Sequence, residues 1–321
     1  MEQKSISPIK EILARIGISR LNEMQEAVMR LDGRKDLVLL SPTGSGKTLA
    51  FLLPLLFQLK AEDYIQAVVI VPSRELALQI EAVFRSLGTG LKVTCCYGGH
   101  PFQIEKRSLE HPPVLLVGTP GRILDHIEKG NLDLSGVHTL ILDEFDKSLE
   151  MKFTVEMKRI ITRIPHVKRH ILTSATESIE IPSFVGLNRP ERISFLTSRQ
   201  SVKGLKLYTV KSPDKDKLNA LYGLLGEIGG EPTLVFCNYR ESVDRVCDFL
   251  TRMGVSNIGF HGGMEQVDRE RRLALLRNGS VNIFVSTDLA ARGLDIPEVR
   301  HVVHYHLPLN EEAFVHRNGR T

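Results

Sequence analysis

The chain has 321 residues, 42% of them hydrophobic and 25% charged, ordinary globular composition at a length beyond what one hydrophobic core usually fills, so two domains are expected. A net charge of +4 permits an anionic partner without identifying one, and leaves any nucleic-acid surface to local clustering. The charged N-terminus (Glu2, Lys4), Pro54 within the longest apolar run, and four cysteines (Cys95, Cys96, Cys237, Cys247) without C-x-x-C spacing speak against a signal peptide, a membrane span, disulfides and a zinc site, and predict a soluble cytoplasmic chain with structural thiols.

In chain order, Ile9, Ile12, Leu13 and Ile16 recur at helical spacing, Gly17 stops that helix, and a second helix is expected around residues 24–31. The apolar run at 37–40 then opens into Ser41-Pro42-Thr43-Gly44-Ser45-Gly46-Lys47-Thr48, followed by a helix through 49–59. A strand that ends in a Gly-rich turn and reopens as a helix points several backbone N–H groups at one anion. Lys47 would supply charge, Thr48 a hydroxyl for magnesium, and Gly44 and Gly46 the room for close approach; Ser41 stands where the strict phosphate-loop pattern has Gly.

Short apolar, β-branched runs at 67–71, 93–97, 114–117, 139–142 and 170–173 alternate with amphipathic helices, as in a mainly parallel α/β sheet buried on both faces. The run at 139–142 ends in Asp143-Glu144-Phe145-Asp146, and carboxylates at a strand end suit a magnesium shell and a water-orienting base. Residues 196–204 are polar and aperiodic and read as a linker. Alternation resumes with runs at 205–210, 233–236, 257–260, 282–286 and 301–305, so a second α/β domain is expected, without a phosphate loop of its own. The sequence stops at Thr321 with no closing helix for that domain and reads as a fragment truncated at its C-terminus.

Ser73-Arg74-Glu75, Gly98-Gly99, Thr119-Pro120-Gly121-Arg122, Thr287-Asp288 and Arg292-Gly293 each follow an apolar run. They offer hydroxyls, backbone N–H groups and guanidinium, which fix a phosphate backbone without reading bases. No aromatic ladder accompanies them, which favours backbone over base recognition.

The ordered strings S-P-T-G-S-G-K-T, P-S-R-E-L-A, G-G, T-P-G-R, D-E-F-D, S-A-T, L-V-F-C-N, H-G-G-M-E-Q-V-D-R, S-T-D-L-A-A-R-G-L-D-I-P and H-R-N-G-R-T run from Ser41 to Thr321, within a resemblance that covers about residues 6–321. Together they resemble the DEAD-box family of ATP-dependent RNA helicases within superfamily 2. The resemblance implies two tandem RecA-like domains, residues 1–195 with a helical adenine-recognition lead-in and residues 205–321, joined by a flexible linker. It implies ATP and Mg2+ as cofactors, RNA bound without regard to sequence, no membrane, and a monomer. Gln25 would read adenine, Lys47 would grip the β and γ phosphates, and Thr48 and Asp143 would hold the metal. Glu144 would orient the attacking water, with Ser41, Thr43, Gly44, Ser45 and Gly46 completing the phosphate cradle. Ser174 and Thr176 would couple hydrolysis to strand separation through a contact with Asp146. Arg74, Gly99, Thr119, Gly121 and Arg122 would line the RNA path on the first domain, and Phe236, Gln266, Arg269 and Thr287 would support or touch RNA on the second. Asp295 would contact the ribose; Arg292, His316 and Arg317 would bridge the cleft; Arg320 would be the first of two arginine fingers.

Several positions depart from the family pattern. Phe145 replaces a small Ala, for which altered packing rather than lost catalysis is expected. Asn22 and Glu23 replace a common Thr-Pro before Gln25, an upstream aromatic near Pro8 is missing, and Asn318 replaces an apolar residue. The second finger falls beyond Thr321, and slower ATP turnover than in a longer chain is expected. Local, non-processive duplex opening is the leading reading; a DNA helicase or translocase of the same superfamily, and an ATP-gated RNA clamp with little turnover, remain alternatives.

Overall fold

The computed structural model describes residues 9–177, 180–196, 205–213, 215–288, 299–309 and 311–319. The chain divides into two compact units, Met1–Leu196 and Thr197–Thr321. The expected linker, apart from Leu196, lies outside the described residues, as do Arg292, Asp295, Arg320 and the side chains of Gln266 and His316.

In the first unit, helices α1 (Ile9–Arg15) and α2 (Glu23–Met29) precede strand β1 (Leu37–Leu40) and helix α3 (Lys47–Leu56). Then follow β2 (Ala67–Ile70), α4 (Arg74–Ser86), β3 (Val93–Cys96), α5 (Phe102–Leu109), β4 (Leu115–Gly118), α6 (Pro120–Glu128), β5 (Thr139–Leu142), α7 (Phe145–Glu150), α8 (Thr154–Ile161), β6 (Arg169–Ser174) and β7 (Glu191–Ser194). The seven strands form one parallel sheet in the order β3-β4-β2-β5-β6-β1-β7. Successive residues of the central strands enter opposite cores. Leu37, Leu39, Val69, Val117 and Ile141 pack on one face, and Val38, Leu40, Val68, Leu116 and Leu140 on the other. That two-sided burial is why the strands are continuously apolar rather than alternating.

Two differences from the sequence reading have local causes. Strand β4 ends one residue late, on Gly118, where a Cβ would meet the Cys96 carbonyl oxygen at 2.3 Å, so only glycine lets the neighbouring strand approach. Strand β7 was not expected, because Glu191-Arg192-Ile193-Ser194 is polar; among the described residues it pairs only with β1, at the sheet edge, and is half exposed.

The second unit contains α9 (Leu218–Ile228), β8 (Thr233–Cys237), α10 (Arg240–Arg252), β9 (Ile258–Phe260), α11 (Gln266–Arg277), β10 (Ile283–Thr287), β11 (His301–His304) and α12 (Glu311–Asn318). Its strands are parallel in the order β11-β8-β10-β9. The strand expected at 205–210 does not form. Leu207, Tyr208 and Val210 are 64%, 83% and 53% exposed, so among the described residues this alternating stretch has no sheet face to bury against and stays irregular.

All four cysteines are free. Burial pushes the thiols of Cys237 and Cys247 up to about 12, which leaves them as protonated, inert packing groups at neutral pH. Among the described residues, no helix is long and apolar enough to cross a membrane.

Candidate nucleotide site and strand-end loops

The sheet order brings the phosphate loop and the acidic string together across about a hundred residues of sequence. Strand β6 lies between β1 and β5, with Leu40 level with Ser174 and Leu142 level with Leu172. All three strands therefore deliver their C-terminal loops to one edge, the position where open parallel sheets bind ligands.

In the phosphate loop, Gly44 and Gly46 adopt φ of +78° and +87°, left-handed conformations that disfavour any residue with a Cβ. Ser41 has no such backbone among the positive-φ residues; its side chain fits where the strict pattern has glycine, donating from Oγ to Ser45 Oγ at 2.7 Å. Lys47 is 7% exposed, and its Nζ donates to the carbonyl oxygens of Ser41 and Pro42, both at 2.8 Å. The ammonium is thus held inside its own loop, beside the N-terminus of α3, whose first N–H groups have no helical acceptor.

Helix α2 braces the loop. Asn22 caps it in a reciprocal capping box with Gln25: Gln25 N–H donates to Asn22 Oδ1 at 2.9 Å, and Asn22 N–H donates to Gln25 Oε1 at 3.0 Å. Asn22 Nδ2 also donates to the Ser45 carbonyl at 2.9 Å, and Gln25 Nε2 to the Gly46 carbonyl at 3.2 Å. A Cβ at position 46 would meet Gln25 Nε2 at 2.6 Å, so a side chain there would displace the Gln25 amide, besides straining the φ. Asn22, a departure from the family pattern in sequence, is structurally the residue that ties helix to loop. Its signal was the N-cap spacing N-x-x-Q.

Asp143 is 2% exposed at the end of β5. Burial raises its carboxyl above the usual range, and Lys47 and the Thr173 hydroxyl act in the opposite direction. Thr173 Oγ1 donates to Asp143 Oδ1 and accepts from the Glu144 N–H at 3.1 Å. One hydroxyl therefore orients both acids. Sequence reasoning counted Thr173 only as a strand residue, since a threonine inside an apolar run carries no other signal. Glu144 sits in the left-handed region at φ 48°, ψ 50°, a costly backbone for a residue with a side chain and one found at constrained sites.

The contact expected between the S-A-T string and Asp146 is made by the middle residue. Ala175 N–H donates to Asp146 Oδ2 at 3.2 Å, while Ser174 and Thr176 bond to each other, with Oγ and Oγ1 3.2 Å apart. Ser174 also offers its carbonyl to Ser41 N–H at 3.0 Å. The string thus bridges phosphate loop and acidic loop through backbone as much as side chain. Phe145 is fully buried in the core that holds Val38, Leu40 and Leu140.

The other half of the sheet, β2, β4 and β3, carries the loops with Arg74, Thr119, Gly121, Arg122 and Gly99. Gly99 and Gly121 are exposed; Arg74, Thr119 and Arg122 are half-buried. Arg122 NH1 donates to Glu105 Oε2 at 3.0 Å, and NH2 to the His100 carbonyl at 3.0 Å.

In the second unit Thr287 ends β10, half-buried. Arg269 is 7% exposed, with its guanidinium 4.8 Å from the Phe260 ring centroid. Phe236 belongs to the core, with Arg317 stacked over its ring at 5.0 Å. Arg317, expected to bridge the cleft, is 1% exposed. Its Nε and NH2 grip both Asp288 oxygens at 2.6 Å, NH1 donates to the His306 carbonyl at 2.6 Å, and NH2 to Asn238 Oδ1 at 2.7 Å. All three nitrogens are engaged within the unit, because a buried guanidinium must satisfy its donors locally. Asn318, without a rationale in sequence, accepts at Oδ1 from His304 Nε2 at 3.0 Å, which fixes the proton of that ring on Nε2.

Residues 22–183 match the DEAD/DEAH box helicase family, and residues 216–321 the helicase conserved C-terminal domain. The chain belongs to the DEAD/DEAH box helicase family. Among its DEAD-box relatives, the ATP-dependent RNA helicase DbpA of Escherichia coli (strain K12) is 37% identical over 89% of this chain and 64% of its own length. The DEAD-box ATP-dependent RNA helicase CshA of Geobacillus kaustophilus (strain HTA426) is 34% identical over 98% of this chain and 68% of its own. The chain thus spans about two thirds of the length of these two relatives. The fold matches S. cerevisiae Dbp5, solved bound to RNA and ADP BeF3, with a TM-score of 0.84 over 99% of this chain and 84% of that one, at 24% identity.

Proposed function

We propose that this DEAD-box chain is an ATP-dependent RNA helicase whose RNA-stimulated ATP hydrolysis drives local, non-processive duplex opening. The observation that carries the reading is the convergence of Lys47, Thr173-oriented Asp143 and Glu144, and the 174–176 string on one sheet edge. The named relatives are ATP-dependent RNA helicases, and Dbp5 was solved with RNA and a nucleotide. The units act as two RecA-like domains, residues 1–195 and 205–321, joined at 196–204.

In this reading the loop from Ser41 to Thr48 cradles the phosphates, its N–H groups and Lys47 answering their charge. Gln25, already oriented by Asn22, presents its amide to adenine. The buried Asp143 carboxylate is a hard oxygen donor of the kind that Mg2+ takes. Thr48 and Asp143 would hold that ion, which when bound neutralises charge developing on the phosphates. Glu144 orients the attacking water, and the 174–176 string links the acidic loop to the rest of the site. Arg317 acts as a positioning residue for Asp288, Asn238 and the His306 carbonyl, while Asp295, Arg292, His316 and Arg320 are assigned by family position alone. Arg74, Gly99, Thr119, Gly121 and Arg122, with Gln266, Arg269 and Thr287, take the RNA backbone.

Base-pair stacking is worth about 1.4 kcal/mol per step in DNA, so opening a few steps needs on the order of 5 kcal/mol, within reach of one nucleotide-binding event but far from that of a long duplex. Strand displacement tests this. With ATP, duplexes of about ten base pairs should separate and those of about thirty should not; equal rates for both would overturn the non-processive reading.

A further inference from the structure

Glu105, in α5, belongs to none of the family strings, yet two other segments, the turn after β3 and helix α6, converge on it. It is 1% exposed. Its Oε1 accepts from the Tyr97 N–H at 3.1 Å, at the turn that leads from β3 into Gly98-Gly99, and His100 Nδ1 lies 3.2 Å from the same oxygen without hydrogen-bond alignment. Its Oε2 accepts from Arg122 NH1 at 3.0 Å and from His126 Nε2 at 2.8 Å. Asn131 Nδ2 lies 3.2 Å from His126 Nδ1; an amide nitrogen only donates, so Nδ1 is the acceptor and Nε2 carries the proton given to Glu105. Phe102 stacks on the His126 ring at 4.3 Å and 9°, and Arg122 lies over the Phe102 ring at 5.5 Å.

Cys96 Sγ, a Glu105 oxygen and His126 Nε2 lie within 4.8 Å of one another, but the cluster is not built for a cation. The imidazole nitrogen that would ligate holds a proton, burial pushes the Cys96 thiol up, and the Arg122 guanidinium already occupies the carboxylate. It is built to hold an arginine. The bonds of Arg122 to Glu105 and to the His100 carbonyl use two of the five donors a guanidinium carries.

We propose that Glu105 is a positioning residue that locks Arg122 and the Gly98-Gly99 turn into one fixed arrangement, on which a single-stranded RNA backbone is bound. The proposal rests on the RNA-binding reading above and adds to it a residue that no strand-end string contains. A pre-set guanidinium binds phosphate without first losing its rotamer freedom, so the gain is affinity rather than base selectivity.

The test is equilibrium binding of single-stranded oligouridine RNA by the full chain with ATP analogue, across a salt series, for wild type, Glu105→Gln, Arg122→Ala and the double variant. Glu105→Gln should weaken binding about tenfold, and the log–log salt slope should fall by about 0.7, one phosphate contact's worth. In the Arg122→Ala background it should cost nothing further, because Glu105 acts through Arg122. The same loss in both backgrounds, or no loss in either, overturns the proposal. If Glu105→Gln lacks a cooperative thermal transition, Glu105→Asp carries the same cycle: it keeps the charge but withdraws it from Arg122, and a loss that persists without Arg122 overturns the role. Wild type that binds no RNA overturns the RNA reading itself, an outcome visible before any variant is compared.

Discussion

At Asp143, burial and chemistry act against each other. Desolvation raises its carboxyl above the usual 3.8, so the nucleotide-free fold binds that proton more tightly than the unfolded chain does. Stability therefore declines as pH rises from about 3.8 through the raised value, and burying this carboxyl is a cost that the fold carries for function. Asp143→Asn should raise the melting temperature of the nucleotide-free protein at pH 7, by about 2–4 °C for each kcal/mol recovered, while abolishing turnover; a lowered melting temperature would contradict the assignment. Thr173 is the complementary case. Its hydroxyl touches both Asp143 and the Glu144 N–H, and valine would keep the strand while deleting it. Thr173→Val should cut ATP turnover about 10–100-fold, as loss of an orienting partner does elsewhere, with nucleotide affinity without magnesium nearly unchanged. Turnover at the wild-type rate would remove Thr173 from the site.

At the scale of elements, α7 shows how a departure from the family pattern is absorbed. Phe145 opens that helix and is fully buried on the sheet face that carries Val38, Leu40 and Leu140, with Met157 and Ile160 of α8 in the same cluster. Phe145→Ala would restore the family's usual residue and still open a cavity, because the surroundings are packed around a ring. A loss of about 3–5 kcal/mol in denaturant unfolding of the first unit is expected; a change below about 1 kcal/mol would mean the site collapses around alanine. Elements buried on both faces were legible in the sequence, since continuous apolar runs leave little else to be. Strand β7 and the stretch at 205–210 were not, because edge pairing and lack of pairing depend on neighbours rather than on local pattern. In the site, the phosphate and acidic loops were legible from residue type and spacing. Thr173 and Glu105 were not, as each acts through a contact with a residue that only the fold brings near; of Asn22 the N-cap spacing was legible and the bond to the Ser45 carbonyl was not.

Across the whole first unit, the strand order β3-β4-β2-β5-β6-β1-β7 divides one sheet edge into two halves. Loops after β1, β5 and β6 carry the proposed nucleotide chemistry, and loops after β2, β3 and β4 the proposed RNA surface. Strand β2 pairs with both β4 and β5, so the two halves share a rigid, fully buried strand. The sheet itself can therefore hold the two sites at a fixed separation, with the coupling left to loops such as 174–176 that touch the acidic side. The central claim is that nucleotide hydrolysis and RNA binding belong to one machine. ATP turnover by the chain with single-stranded RNA, single-stranded DNA or no nucleic acid, with Glu144→Gln as control, tests it most directly. Stimulation by RNA alone, lost in Glu144→Gln, is the predicted result; equal stimulation by DNA, or RNA-stimulated turnover that survives in Glu144→Gln, would contradict it.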